Sequence, residues 1–143
     1  MSSILLLSIR PEHANKIFDY TKKVELRRVR PRLLNEGDLV VVYVSSPKQA
    51  VVGSFNVESI VEKPIRELWN EVEQIAGISK KEFSDYYKGV SVGVGIFLKD
   101  IRKFSQPVEL QRLRNKLPNL TPPQSFRYLT ARQLEIVNSL GES

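Results

Sequence analysis

There is no cysteine in the 143-residue sequence, and histidine, methionine and tryptophan occur once each. The lack of thiols excludes disulfide frameworks, thiol nucleophiles and the usual zinc ligand sets, which are assembled from cysteine and histidine. A redox or zinc enzyme is therefore not expected, and neither a metal nor a cofactor is called for. Also missing is any run of about 18 apolar residues that would cross a bilayer. The N-terminal "SSILLLSIR" is broken at Ser8 and has no basic segment before it, so it reads as a buried strand rather than a signal peptide. Cytoplasmic residence without membrane contact is the expectation. Anions are in deficit as well: 16 Asp and Glu against 22 Lys and Arg leave a formal charge of +6.

That excess is concentrated in "KKVELRRVRPR", where Lys22, Lys23, Arg27, Arg28, Arg30 and Arg32 surround one carboxylate, Glu25. The rest of the chain is nearly neutral. Local basicity of this kind suits a polyanionic partner, RNA or a nucleotide first and DNA as another possibility, although a solvated charge run is the commoner fate of such a stretch.

At 41% apolar and 27% charged, the composition is that of an ordinary globular domain with its own core. We expect a single domain over 1–143, with 105–143 as a helical C-terminal extension. Residues 4–9 are nearly all apolar, as in a strand covered on both faces. Pro11 opens a helix through Ala14, Ile17 and Phe18 that ends near Tyr20. From Lys23 to Val29 the pattern alternates, so Glu25 and Arg27 share one strand face and Val24 and Leu26 the other. Two β-branched runs, 37–46 and 50–63, flank a short polar turn and form a hairpin, with a bend or bulge at Gly53. Pro64 starts a helix with the stripe Ile65, Leu68, Trp69, Val72 and Ile75, capped at Gly77. Ser79 with Glu82 and Thr130 with Gln133 are capping boxes for two further helices. Residues 90–104 return to strand character, with Gly93 and Gly95 making room for a close neighbour. A short basic helix around 109–114 and a proline-rich loop over 117–124 precede the last helix. The sum is an α+β protein: a small, mainly antiparallel barrel or curled sheet edged by helices.

A strand, a helix, then Lys22, Glu25 and Arg27 at the spacing G-x-K-x-x-E-x-R, followed by Gly37 and Asp38 at a strand start, resembles the ASCH domains of the PUA-like superfamily. The likeness runs from residue 3 to about 104, and "PPQSFRYL" is similar to a late element of the same proteins. The resemblance implies a PUA-like β-barrel with a basic cleft for RNA or a modified nucleotide, lined by Lys22, Glu25 and Arg27. It also implies that hydrolysis is conceivable: one branch of the family removes the acetyl group of N4-acetylcytidine with a lysine, a threonine and a glutamate. Glu25 stands where that branch has its threonine, and Thr21 lies on the turn, so no complete catalytic set is visible; Lys22 and Glu25 remain candidates for acid–base work. The motif's glycine is replaced by Tyr20, which either avoids a left-handed conformation or bears its strain, and which could stack on a base at the rim of the site.

The wider candidate set is Tyr20, Thr21, Lys22, Lys23, Glu25, Arg27, Arg28, Arg30 and Arg32, with Ser45 and Ser46 of the hairpin turn and Gln124, Ser125 and Arg127 of the late segment. For Glu25 and Arg27 two readings compete: an ion pair that helps a small barrel close, or a carboxylate and a guanidinium offered to a base edge or phosphate. Arg28, Arg30 and Arg32 are expected to fan out beside the cleft, since Pro31 ends the strand. Trp69, Phe126 and Leu129 are assigned to packing and His13 to the exposed surface. Against the RNA-binding module stand a nucleotide- or RNA-processing hydrolase and a regulatory domain that meets an acidic partner.

Overall fold

The computed structural model describes residues 2–142. Strand β1 (Ile4–Ile9) sends Leu5, Leu7 and Ile9 into one hydrophobic cluster and Leu6 into another, which is why its sequence lacks polar alternation. Helix α1 (Pro11–Phe18) has proline at its first position, where the missing N–H would have had no helical acceptor, and buries Ala14 and Ile17. Strand β2 is short, Val24–Arg27, and then the chain leaves the sheet. Strands β3 (Leu39–Val44) and β4 (Ala50–Pro64) form the expected hairpin, with the register shifting on either side of Val52 beside Gly53.

Helix α2 (Ile65–Val72) buries Leu68, Trp69 and Val72, and helix α3 (Lys80–Tyr86) starts with both hydrogen bonds of the Ser79–Glu82 capping box. Strand β5 runs from Val92 to Glu109, five residues past the expected end, and pairs with β4 along nearly its whole length. Gly93 and Gly95 give way to neighbours as anticipated: a Cβ at Gly93 would lie 2.7 Å from the Tyr87 ring and 2.8 Å from Leu68. Helix α4 (Leu110–Lys116), strand β6 (Phe126–Tyr128) and helix α5 (Ala131–Glu142) complete the chain, and α5 opens on the Thr130–Gln133 capping box. The tail thus contributes a strand as well as helices. Three residues with only part of each side chain buried give too little periodicity for β6 to be read from sequence.

The six strands lie in the order β2-β5-β4-β3-β1-β6, with β1 and β3 parallel and the other neighbours antiparallel. The concave face holds Leu5, Leu7, Val40, Val42, Phe55, Ile96 and the α1 residues Ala14 and Ile17. On the opposite face Leu6, Val41, Phe104 and Val108 pack under Leu113, Leu120 and Val137. A third cluster joins Val24 and Leu26 of β2 to Leu68, Trp69, Val72 and Phe83. The sheet is a half-barrel rather than a closed one: β2 and β6 are its two ends, and no backbone ladder joins them. The site lies at this seam.

Candidate functional site

The loop after α2 holds the basic segment in place. Gly77 sits in this loop at φ +68, and three successive carbonyls each accept from a lysine: Ile75 O from the Lys23 amide, Ala76 O from Lys22 Nζ at 2.7 Å, and Gly77 O from Lys16 Nζ at 2.6 Å. A cationic ammonium can lie inside the protein only if its charge is met by acceptors or an opposite charge. Lys22, 2% exposed, has the Ala76 carbonyl, and the Glu25 carboxylate opposes the fall in its pKa; burial nevertheless keeps that pKa below the ordinary lysine value.

Glu25 and Arg27 lie on the face of β2 that looks into the half-barrel, as the alternation requires. Glu25, 5% exposed, accepts through Oε2 from Arg27 Nε at 2.9 Å and forms an ion pair with the same guanidinium, Nη2 lying 2.7 Å from Oε2. Arg27 also reaches across the seam, donating from Nη2 to Ser8 O at 2.7 Å and from Nη1 to Ser125 Oγ at 3.4 Å. The ion-pair reading is therefore realised. The guanidinium fork is spent on holding β2 against β1 and the segment before β6, not turned outward to a phosphate. Glu25 Oε1, in contrast, accepts no hydrogen bond among the described residues.

Around this pair is a pocket of about 640 Å³ lined by Ser8, Ile9, Arg10, His13, Lys22, Glu25, Leu26, Arg27, Ser45, Ile78, Glu82, Asp85, Tyr86 and Gln124. The lining includes three cations, Arg10, Lys22 and Arg27, against three carboxylates, Glu25, Glu82 and Asp85. It is balanced in charge, which suits a polar neutral group better than a bare phosphate. His13 corrects the sequence reading: it is only partly exposed, and its Nδ1 is buried without a hydrogen-bond partner. Burial, followed by the Lys22 charge, lowers its pKa, so the imidazole is neutral at physiological pH. Tyr86 was also missed. Its hydroxyl donates to Leu26 O at 3.2 Å and its ring meets Tyr87 edge-on at 4.8 Å, so an aromatic face is fixed at the wall. Burial raises the pKa of this phenol, which stays neutral.

Of the sequence candidates, Lys22, Glu25, Arg27, Ser45 and Gln124 meet at this pocket, and Ser125 touches it through Arg27. The others lie outside the lining. Tyr20 has φ 67 and is 60% exposed, so it bears the strained cap conformation and does not close the pocket. Thr21 is turned back on Asp19, donating from its hydroxyl to Oδ1 at 2.6 Å. Arg30 donates to Leu34 O and Arg127 to Thr121 O, while Lys23, Arg28, Arg32 and Ser46 are exposed. Ser8, Arg10 and His13 lie in "SIRPEHANKIF", a stretch that resembles the family's opening, but nothing in its pattern marks them as site residues; the fold brings them to the pocket from the end of β1 and the start of α1. No group of three or more His, Cys, Asp or Glu among the described residues could hold a metal ion. No helix among them is long and apolar enough to cross a membrane.

A six-stranded mixed half-barrel with a Lys-x-x-Glu-x-Arg edge strand at its open seam defines a PUA-like domain of the ASCH type. The chain belongs to this ASCH family, and residues 5–115 match the model described as Domain of unknown function (DUF365). It is 29% identical over 135 residues, 94% of this chain and 90% of the relative, to the ASCH domain-containing ribonuclease of Zymomonas mobilis. The crystal structure of ASCH from Zymomonas mobilis superposes with a TM-score of 0.91 at 28% identity, covering 98% of this chain and 96% of that one. The human THYN1 protein, solved in complex with 5-methylcytosine containing DNA, shares the fold at a TM-score of 0.62 and 19% identity, covering 99% of each chain.

Proposed function

We propose that this protein binds nucleic acid, RNA in the first place, by drawing one unstacked base into the seam pocket while cations on the surface meet the phosphates. The observation that carries this reading is Glu25: a nearly buried carboxylate whose Oε2 is committed to Arg27 and whose Oε1 is left to accept from an amino or imino group. A pocket with balanced charge and a fixed tyrosine face is fitted to a base, whose edge is polar and whose faces stack. The phosphates fall to Arg10 at the pocket edge and to the exposed Lys23, Arg28 and Arg32. The names of the Zymomonas ribonuclease and of the DNA-bound THYN1 structure support the nucleic-acid reading. The test is fluorescence anisotropy with labelled single-stranded RNA and DNA over a range of salt. Three or four phosphate contacts give a slope of log K against log salt of about −2 to −3. Absence of saturable binding at low salt would reject the proposal.

RNA cleavage is a second reading, favoured by one feature of the pocket. His13 and Lys22 are both shifted toward their neutral forms, the forms that accept a proton, in the same pocket as a carboxylate. Incubation of end-labelled RNA with the protein, compared with its His13→Asn variant, tests this: products formed by the wild type and lost in the variant support it, and intact RNA with both removes it.

A further inference from the structure

A second pocket, of about 360 Å³, lies on the other side of α1. Its floor is apolar, with Phe18, Phe104 and Pro107, and its edge carries Lys48 and Lys103. The Phe18 ring is set directly against the sheet because residue 53 is glycine: a Cβ there would lie 2.7 Å from the ring. Neither lysine has a salt-bridge partner among the described residues, and both are exposed. The one carboxylate in the lining, Asp19, is committed to Thr21, which donates to Oδ1 from both its amide at 2.9 Å and its hydroxyl at 2.6 Å. The pocket thus offers an aromatic surface with two unneutralised ammonium groups beside it.

The two pockets are adjacent. Arg10 lines the first and Pro11 the second; Ser45 lines the first and Val44 and Lys48 the second. The start of α1 and the β3–β4 turn therefore form a shared ridge, and a strand crossing it would place consecutive nucleotides on either side. We infer that the second pocket is a neighbouring-nucleotide subsite, in which the next base of the strand lies against Phe18 and its phosphate meets Lys48 and Lys103. This rests on the reading of the first pocket as a base site. Charge complementarity singles out a nucleotide over an apolar peptide, since two unpaired cations at the edge of a purely apolar groove would have to be desolvated without compensation. It follows that the protein prefers linked nucleotides to free ones.

The experiment compares a nucleoside 5′-monophosphate with di- and tetranucleotides of single-stranded RNA, using wild type, Lys48→Ala/Lys103→Ala and, as a control, Lys99→Ala/Lys116→Ala, whose lysines line neither pocket. The expected result is that wild type gains affinity from mono- to dinucleotide, and that the first double variant loses about tenfold of the gain and, with the tetranucleotide, about 0.7 of the salt slope, the share of one phosphate. Mononucleotide binding stays unchanged in that variant, and the control keeps the gain. Glu25→Gln reports separately on the first pocket through the mononucleotide. If the gain with length persists in Lys48→Ala/Lys103→Ala, or falls equally in the control, the second subsite is refuted whatever Glu25→Gln shows. If Glu25→Gln leaves mononucleotide binding and base preference unchanged, the first-pocket reading fails, and the assignment of the second pocket as its neighbour fails with it.

Discussion

Glu25→Gln is the substitution that the seam makes most informative. In the wild type one carboxylate oxygen accepts from Arg27 Nε at 2.9 Å and lies 2.7 Å from Nη2 in an ion pair, and the same guanidinium donates to Ser8 O at 2.7 Å. Glutamine preserves the shape and one acceptor but sets a neutral amide in place of the carboxylate, so the ion pair with Arg27 is lost while its guanidinium stays charged, a change worth about 1–2 kcal/mol. With the Arg27 side chain 15% exposed, that figure already includes what water recovers. For a domain of this size it lowers Tm by roughly 2–8 °C. Glu25→Ala, which leaves the guanidinium without its partner, costs more, about 3 kcal/mol. Binding responds in the opposite sense. Generic affinity for single-stranded RNA is equal or higher, because a carboxylate repels phosphate, while the order of preference among the four nucleoside monophosphates changes, because a donor replaces an acceptor at Oε1. Circular dichroism melts and competition anisotropy measure the two effects. A Tm within about 1 °C of wild type and an unaltered base preference would refute both the seam clamp and the base contact.

Arg28→Ala/Arg32→Ala is expected to lower the salt slope by about 1.4 with Tm unchanged, whereas Arg30→Ala, which releases the Leu34 carbonyl, affects Tm and leaves the slope nearly as it was. Tyr20→Gly relieves a left-handed cap strained by roughly 1–2 kcal/mol but adds about 0.5–1 kcal/mol of unfolded-state entropy, so chemical denaturation shows it neutral or slightly stabilised; RNA affinity does not change. For His13 the folded pKa lies below the unfolded value of 6.5, so the unfolded chain binds more protons between the two, and stability falls as the pH drops through that window. Denaturant midpoints above and below it decline more in wild type than in His13→Asn; parallel declines would mean that the imidazole contributes nothing.

Much of this architecture is legible in the sequence because its local signals agree with the tertiary structure. Pro11, the two capping boxes and the alternation over 24–27 each encode a local geometry that the fold keeps. The motif residues Lys22, Glu25 and Arg27 sit at the pocket for the same reason: a period of two puts Glu25 and Arg27 on one face, whatever the rest of the chain does. What was illegible depends on contacts distant in sequence. Arg27 reads as a free guanidinium until β1 brings the Ser8 carbonyl beside it, and His13 reads as a surface residue until β2 and α3 close around it. The long arginine run is misleading in another way. Its members share a charge but not a direction, and once β2 ends at Arg27 each follows its own loop geometry.

The place of the site follows from the open seam. A closed small barrel has room inside for little beyond its own side chains or one small ligand, whereas an open seam leaves space between the ends of the sheet. Here β2 stops after four residues, and its last member substitutes a side chain for the backbone ladder that would have joined it to the other end of the sheet. A guanidinium can bridge such a gap because it carries five donors in a rigid plane, but it must be buried to do so, and a buried guanidinium needs an anion. That requirement explains the single carboxylate in the basic strip: Glu25 is there first to neutralise Arg27. Since only one carboxylate oxygen is needed for the bridge, the second faces the unfilled space that the missing ladder leaves behind. Clamp and recognition group are then one residue, so substitutions at Glu25 change stability and selectivity together.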